Sequence, residues 1–230
     1  MKLNGCPQCG ARQACFLTAE LTPEEIEATG RIRHIRSYRP RQILYHEGMP
    51  ALGVYILCSG RVKLSRTNNN GRQQILRIVG AGEICGEETL LEGTLYTNTA
   101  EALETCQSAF VRREVFLQML ENGDRVLLPF LRHICQVLID IQVRFTHVAL
   151  SDARTRLAAQ LLDLAERDGK PCAKGTTLNL SLRRGELAAL VGLSPETAMR
   201  LLSQFQREGL LETHGRCLTL KSLEGLRALL

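Results

Sequence analysis

The residues from Leu127 to Val148 constrain the fold most. Apolar residues fall at Leu127, Leu131, Ile134, Leu138, Ile141, Phe145 and Val148, in steps of 4, 3, 4, 3, 4 and 3. That is the a/d seam of a two-stranded coiled coil. Arg132, Gln136, Asp140, Gln142 and Arg144 fill most places between, so only one narrow stripe calls for burial. Three heptads are short for a free-standing fibre, but suit a helix that pairs with its own copy and carries a domain at each end. A core helix inside one domain remains the alternative, and the flanking chain has to decide.

With 230 residues, one or two domains are expected, and either flank is long enough to bury a core. Hydrophobic residues at 44% and charged residues at 23% fit a soluble globular protein. The start, Met1 to Cys6, has no apolar run of signal-peptide type, and no run of about 18 consecutive apolar residues follows. A cytoplasmic protein without membrane association is therefore expected. Nine cysteines in that setting do not read as a disulfide framework, because cytosolic thiols stay reduced. Cys58, Cys106 and Cys135, with apolar neighbours, read as small core residues. The net charge of +5 is compatible with a polyanionic partner, while 4% aromatic residues and no Trp argue against a base-stacking single-strand binder.

Near the start, Cys6, Cys9 and Cys15 follow the spacing C-x2-C-x5-C in a segment containing Pro7 and Gly10. Three thiols so close can converge on iron–sulfur or zinc, and either centre normally takes a fourth ligand. A redox pair at Cys6 and Cys9, or a disordered tail, are the other readings. Leu21 to Ile26 reads as a helix start, with Thr22 as cap and Pro23 in the first turn. From Ile32 to Val111, short β-rich runs alternate with turns at Glu47-Gly48, Ser59-Gly60, Asn68 to Gly71 and Gly80 to Gly82, the pattern of a sandwich or jelly roll. Glu87 and Glu88 read as solvated loop charges. No nucleophile–base pair or phosphate loop is present, so an enzyme is not expected.

Arg112 to Leu120 is expected as a short helix, Asp152 to Arg167 as an amphipathic one stopped by Asp168 to Pro171, and Leu178 to Leu182 as a short strand. Leu187, Ala188 and Leu190 then share a helix face, Gly192 supplies a turn, and Ser194 caps a helix opened by Pro195. Ala198, Leu201, Leu202 and Phe205 form the buried face of that helix, completing a helix-turn-helix. Ser194, Pro195, Glu196, Thr197, Met199 and Arg200 lie at its N-terminal end, where base edges would be met in a major groove. Arg200 can donate twice to guanine and Glu196 can accept from cytosine. Alternatively, Glu196 complements the helix dipole and Arg200 is a solvated charge. Leu210 to Leu220 reads as a hairpin, or wing. Between Ser151 and Leu230 there are 12 basic and 9 acidic residues, and Arg183, Arg184, Arg207 and Arg216 surround the reading unit in positions suited to phosphate.

Cysteine-rich segment, β-roll, seam helix and winged helix-turn-helix, in that order, resemble the CRP/FNR family of bacterial transcription regulators across nearly the whole chain. The landmarks are Ile43 to Gly48, Val54 to Lys63, Gly82 to Glu87 and Leu193 to Leu202. The resemblance implies an α+β chain: a cysteine-rich segment over 1–20, a β-roll like the cyclic-nucleotide-binding jelly roll over 21–125, a dimerisation helix over 126–150, and a winged helix-turn-helix over 151–230. It implies a homodimer on a palindromic operator in double-stranded DNA, touching RNA polymerase if it activates.

The C-x2-C-x5-C spacing is similar to that of the oxygen-responsive FNR branch, implying a [4Fe-4S] cluster on Cys6, Cys9 and Cys15 that responds to oxygen, nitric oxide or redox state. The position of that branch's fourth cysteine is Ala109 here, so Cys106 is taken as the fourth ligand, with Cys85 or a non-cysteine ligand as the alternatives. Zinc, a thiol switch or a small-molecule effector could replace the cluster. Cyclic-AMP receptors of the family carry an Arg-Ser pair in the phosphate loop. Leu95 to Ala100 has no Arg, so no cyclic nucleotide is expected. The FNR branch has an acid on the seam where Ile141 stands, which implies that this dimer persists without a cluster.

Overall fold

The structure is a computed structural model, described at residues 11, 15, 18, 24, 34–91, 95–122, 124–179, 182–215 and 217–230. Cys6, Cys9, Arg216 and most of the expected 21–26 helix start lie outside these residues; Glu24, which is described, is helical. The chain divides into two compact units, Met1–Ile139 and Asp140–Leu230.

Among the described residues of the first unit, eight strands make two antiparallel sheets. β1 (His34–Tyr38), β8 (Cys106–Arg112), β3 (Gly53–Ser59) and β6 (Ile84–Cys85) form one, in that spatial order. β2 (Ile43–Tyr45), β7 (Thr99–Ala102), β4 (Val62–Thr67) and β5 (Gln73–Val79) form the other. This is the expected β-roll. Alternation along β3 explains why it is buried on both faces. Leu57 and the half-buried Tyr55 face a core with Tyr45, Val62, Leu64, Tyr96 and Cys106. Val54 and Ile56 face a second core with Ile84, Val111, Phe116 and Phe130. The second core is closed by α1 (Arg113–Asn122) and the first turns of α2 (Asp124–Leu150), where the Phe116 and Phe130 rings meet edge-on at 5.4 Å.

Helix α2 contains the whole predicted seam and begins three residues earlier, with Pro129 inside it. Its apolar positions divide between two tasks. Leu127 and Ile134 pack on the second core beside the buried Val126 and Phe130. Leu131, Leu138, Ile141, Phe145 and Val148 stay exposed, Phe145 at 73%. Cys135 corrects an expectation: it is exposed on this helix, one residue beyond Ile134, and is not a core residue. Cys58 and Cys106 are buried as expected.

The second unit contains α3 (Ala153–Asp168), α4 (Arg184–Leu190), α5 (Pro195–Arg207) and α6 (Leu223–Arg227). It also contains one antiparallel sheet, ordered β11 (Leu211–His214), β12 (Cys217–Leu220), β10 (Gly175–Asn179) and β9 (Lys170–Cys172). Asp152 caps α3 by accepting from the Thr155 N–H at 2.7 Å. The stretch read as a helix stop goes on into β9. Pro171 is tolerated there because β9 is the sheet's last strand and needs only one ladder.

Candidate nucleic-acid interface and cysteine sites

The reading unit is assembled by local chemistry. The Glu186 carboxylate accepts from the Arg183 N–H at 2.7 Å and fixes the start of α4, whose Leu187, Ala188 and Leu190 are buried. Gly192 turns the chain with φ +69°, a conformation costly for any residue with a Cβ. Ser194 Oγ accepts from the Thr197 N–H at 3.2 Å, and Pro195 occupies the first helical position, where its missing N–H costs nothing. Ala198, Leu201, Leu202 and Phe205 are buried, as the periodicity predicts. On the opposite side Pro195, Glu196, Met199 and Arg200 are exposed. The Glu196 carboxyl is held below its usual range by its own backbone N–H and by the Ser194 hydroxyl, so it is an anionic acceptor at neutral pH.

The four arginines expected at phosphates are placed differently from one another. Arg183 and Arg207 are exposed, at the start of α4 and the end of α5. Arg184 donates to the Gly215 carbonyl at 2.7 Å and so ties the start of α4 to the wing turn. Arg216 lies outside the described residues. One clamp was not foreseen. Arg154 on α3 grips Glu208 with two hydrogen bonds at 2.9 and 2.6 Å, and its guanidinium lies 5.4 Å from the Phe205 ring centroid. It anchors the C-terminal end of the reading helix. No sequence spacing signals a pair 54 residues apart.

Cys15, Cys85 and Cys106 lie in the two roll cores. Cys15 is buried in the second core with Val54, Ile84 and Phe116. Cys85 and Cys106 are buried in the first, with Tyr45 and Leu57. Burial pushes the Cys106 thiol up to about 11, helped by Glu104, and pushes the Cys85 thiol well above its usual value, helped by Glu87. Gly60, at φ +78°, presses on Cys106; a Cβ there would stand 2.6 Å from the cysteine's own. Among the described residues no three His, Cys, Asp or Glu side chains are grouped to hold a metal. Cys15 thus packs in a different core from either candidate fourth ligand, while Cys6 and Cys9 lie outside the described residues.

Glu87 corrects the reading of a solvated loop acid. It sits in a single 3-10 turn (Glu87–Thr89) with 4% of its surface exposed. Its Oε1 accepts from Arg77 on β5 at 2.9 Å and lies 3.1 Å from His133 Nε2 on α2, while Oε2 has no hydrogen-bond partner among the described residues. Burial pulls the carboxyl upward, but His133 and Arg77 outweigh it and leave the pKa below its usual range. Glu88 is surface-exposed by area yet largely surrounded by protein; desolvation and the Glu87 charge raise its carboxyl. Its Oε1 accepts from Asn98 Nδ2 at 3.1 Å, and Asn98 Oδ1 accepts from the Tyr45 hydroxyl at 3.1 Å. Tyr45 stacks on Tyr96 at 3.9 Å between centroids.

Comparison with known proteins gives the same division of the chain. Residues 35–122 match the cyclic nucleotide-binding domain and residues 155–229 the Crp-like helix-turn-helix domain. The cyclic AMP receptor protein of Thermus thermophilus is 29% identical over 194 residues, 82% of this chain and 84% of that one. The anaerobic regulatory protein of Haemophilus influenzae is 23% identical over 222 residues, 96% of this chain and 86% of that one. Among solved structures, the c-di-GMP responsive global regulator CLP of Xanthomonas campestris superposes with a TM-score of 0.79 at 27% identity. That match spans 87% of this chain and 100% of that one.

Proposed function

Because the chain belongs to the CRP/FNR family of DNA-binding transcription regulators, whose members act as dimers, we propose that it pairs through α2 and reads a palindromic operator with two copies of α5. The observation that carries this reading is the exposed N-terminal face of α5, with Glu196 anionic and Arg200 one turn on, backed by a buried apolar face. Pairing is supported by the stripe of Leu131, Leu138, Ile141, Phe145 and Val148, exposed apolar surface of the kind that marks an interface. Arg183, Arg207 and Arg216 would meet phosphates, and Arg184 would position the wing. The working place is the cytoplasm, with RNA polymerase as a further partner where promoters are activated. Selection from a pool of random duplexes tests the reading: a two-fold-symmetric sequence is expected, and a non-symmetric consensus overturns it.

For the sensor, the Cys6, Cys9 and Cys15 spacing and the likeness to an anaerobic regulatory protein support a [4Fe-4S] cluster on these thiols plus one further ligand. Such a cluster would supply lability towards oxygen and nitric oxide. A second reading is favoured by the separation of Cys15 from Cys85 and Cys106: zinc or a dithiol switch can use the N-terminal thiols without either roll cysteine. Protein purified without air separates them. About four irons with matching sulfide per chain support the cluster; bound zinc, or an oxidant-induced Cys6–Cys9 disulfide seen by mass spectrometry, supports the alternative. Cyclic nucleotides are poor effectors on this reading. Asn98 is committed to Tyr45 and Glu88, and Glu88 adds negative charge where a phosphodiester would need a cation.

A further inference from the structure

Helix α5 buries Ala198, Leu201, Leu202 and Phe205, yet leaves one large apolar side chain, Met199, 45% exposed. It is not spare core. It stands between Glu196 and Arg200, on the side of the helix turned away from the protein, and Pro195 lies one turn before it. Residues four apart are neighbours on a helix surface. The reading face is therefore two parallel rows: Glu196 with Arg200, which form hydrogen bonds, and Pro195 with Met199, which are apolar.

The second row cannot read a base edge by hydrogen bonding. Pro195 has no N–H and no polar side-chain atom, and a thioether is at best a weak acceptor. What remains is apolar contact, and the only apolar group that a base pair presents in the major groove is the thymine 5-methyl. Methionine suits that task because its unbranched, polarizable side chain adapts to a small target. We propose that Met199, flanked by Pro195, reads a thymine methyl beside the pair read by Glu196 and Arg200. This makes an A·T pair of defined orientation part of each half-site. The inference rests on α5 being the reading helix.

The test uses the full chain and the operator that it selects from random duplexes. Each thymine of the half-site is replaced in turn by deoxyuridine, which removes the methyl and leaves every hydrogen-bonding group in place. One symmetric position is expected to respond, losing about fourfold in affinity per half-site, the contribution of one buried methyl. Met199→Ala should bind thymine and uracil duplexes equally, and Met199→Leu should keep most of the discrimination. Both substitutions are at a surface position, and unchanged thermal unfolding confirms that the fold is intact. A wild-type protein indifferent to every uracil, or a thymine preference that survives in Met199→Ala, overturns the role of Met199. Failure to select any sequence overturns instead the assignment of α5 as the reading helix.

Discussion

At the scale of single residues, Arg200 and Glu87 show two opposite uses of charge. Arg200 is exposed at a helix face, and no hydrogen bond or ion pair holds it among the described residues, so its removal should leave the fold unchanged. Arg200→Ala is expected to cost about 1–3 kcal/mol on the selected operator and to relax specificity at one guanine. Titrations on specific and random duplexes check this; an equal loss on both would mean that Arg200 contacts only phosphate. Glu87 is the converse, a buried anion held by Arg77 and His133. Glu87→Gln leaves the Arg77 charge without its partner and should destabilise the first unit by about 3 kcal/mol near neutral pH. The folded pKa of Glu87 lies below the unfolded one, so its contribution is complete above the unfolded value and is lost as pH falls through the folded value. Urea midpoints of wild type and Glu87→Gln should therefore converge only at acid pH; a gap unchanged down to pH 3 would contradict the assignment.

At the scale of elements, the same helix serves two surfaces. Leu127 and Ile134 close the core of the roll, while Leu131, Leu138, Ile141, Phe145 and Val148 stay exposed and form the surface proposed for pairing. Ile141→Asp should accordingly leave the roll folded and turn the proposed dimer into a monomer, because two carboxylates would face each other across the axis. Light scattering of wild type and variant at micromolar concentration decides it, and a wild type already monomeric without metal would refute persistent pairing. The extent of this helix was legible because a 3.5-residue repeat is a local pattern. The helix-turn-helix was legible for the same reason: Gly192, Ser194 and Pro195 encode their turn and cap within four residues. What stayed hidden depends on distant partners. Glu87 looks like any loop acid until α2, 46 residues on, lays His133 over it. Asp168 to Pro171 does stop α3, as its residues signal, but nothing local shows that Pro171 then pairs with β10 as an edge strand. Cys135 shares the composition of a core position but lies one residue off the packed one.

At the scale of the whole molecule, the dimer and its DNA contacts can be tested together through salt. Each phosphate neutralised by Lys or Arg lowers the slope of log K against log salt by about 0.9 on duplex DNA, since a condensed counterion is released. Arg207 is exposed in the last turn of α5 and is assigned to phosphate, not to a base edge. A dimer presents that residue twice. Arg207→Ala should therefore weaken specific and random binding alike and make the salt slope shallower by about 2, whereas a monomeric reader would change by about 1. Ile141→Asp supplies the internal control. If α2 supports pairing and nothing else, that variant's remaining affinity should show half the wild-type slope, and adding Arg207→Ala to it should subtract one contact only. A slope that changes by the same amount in the paired and unpaired backgrounds would mean that only one subunit touches the DNA, and would overturn two-fold recognition while leaving the reading helix in place.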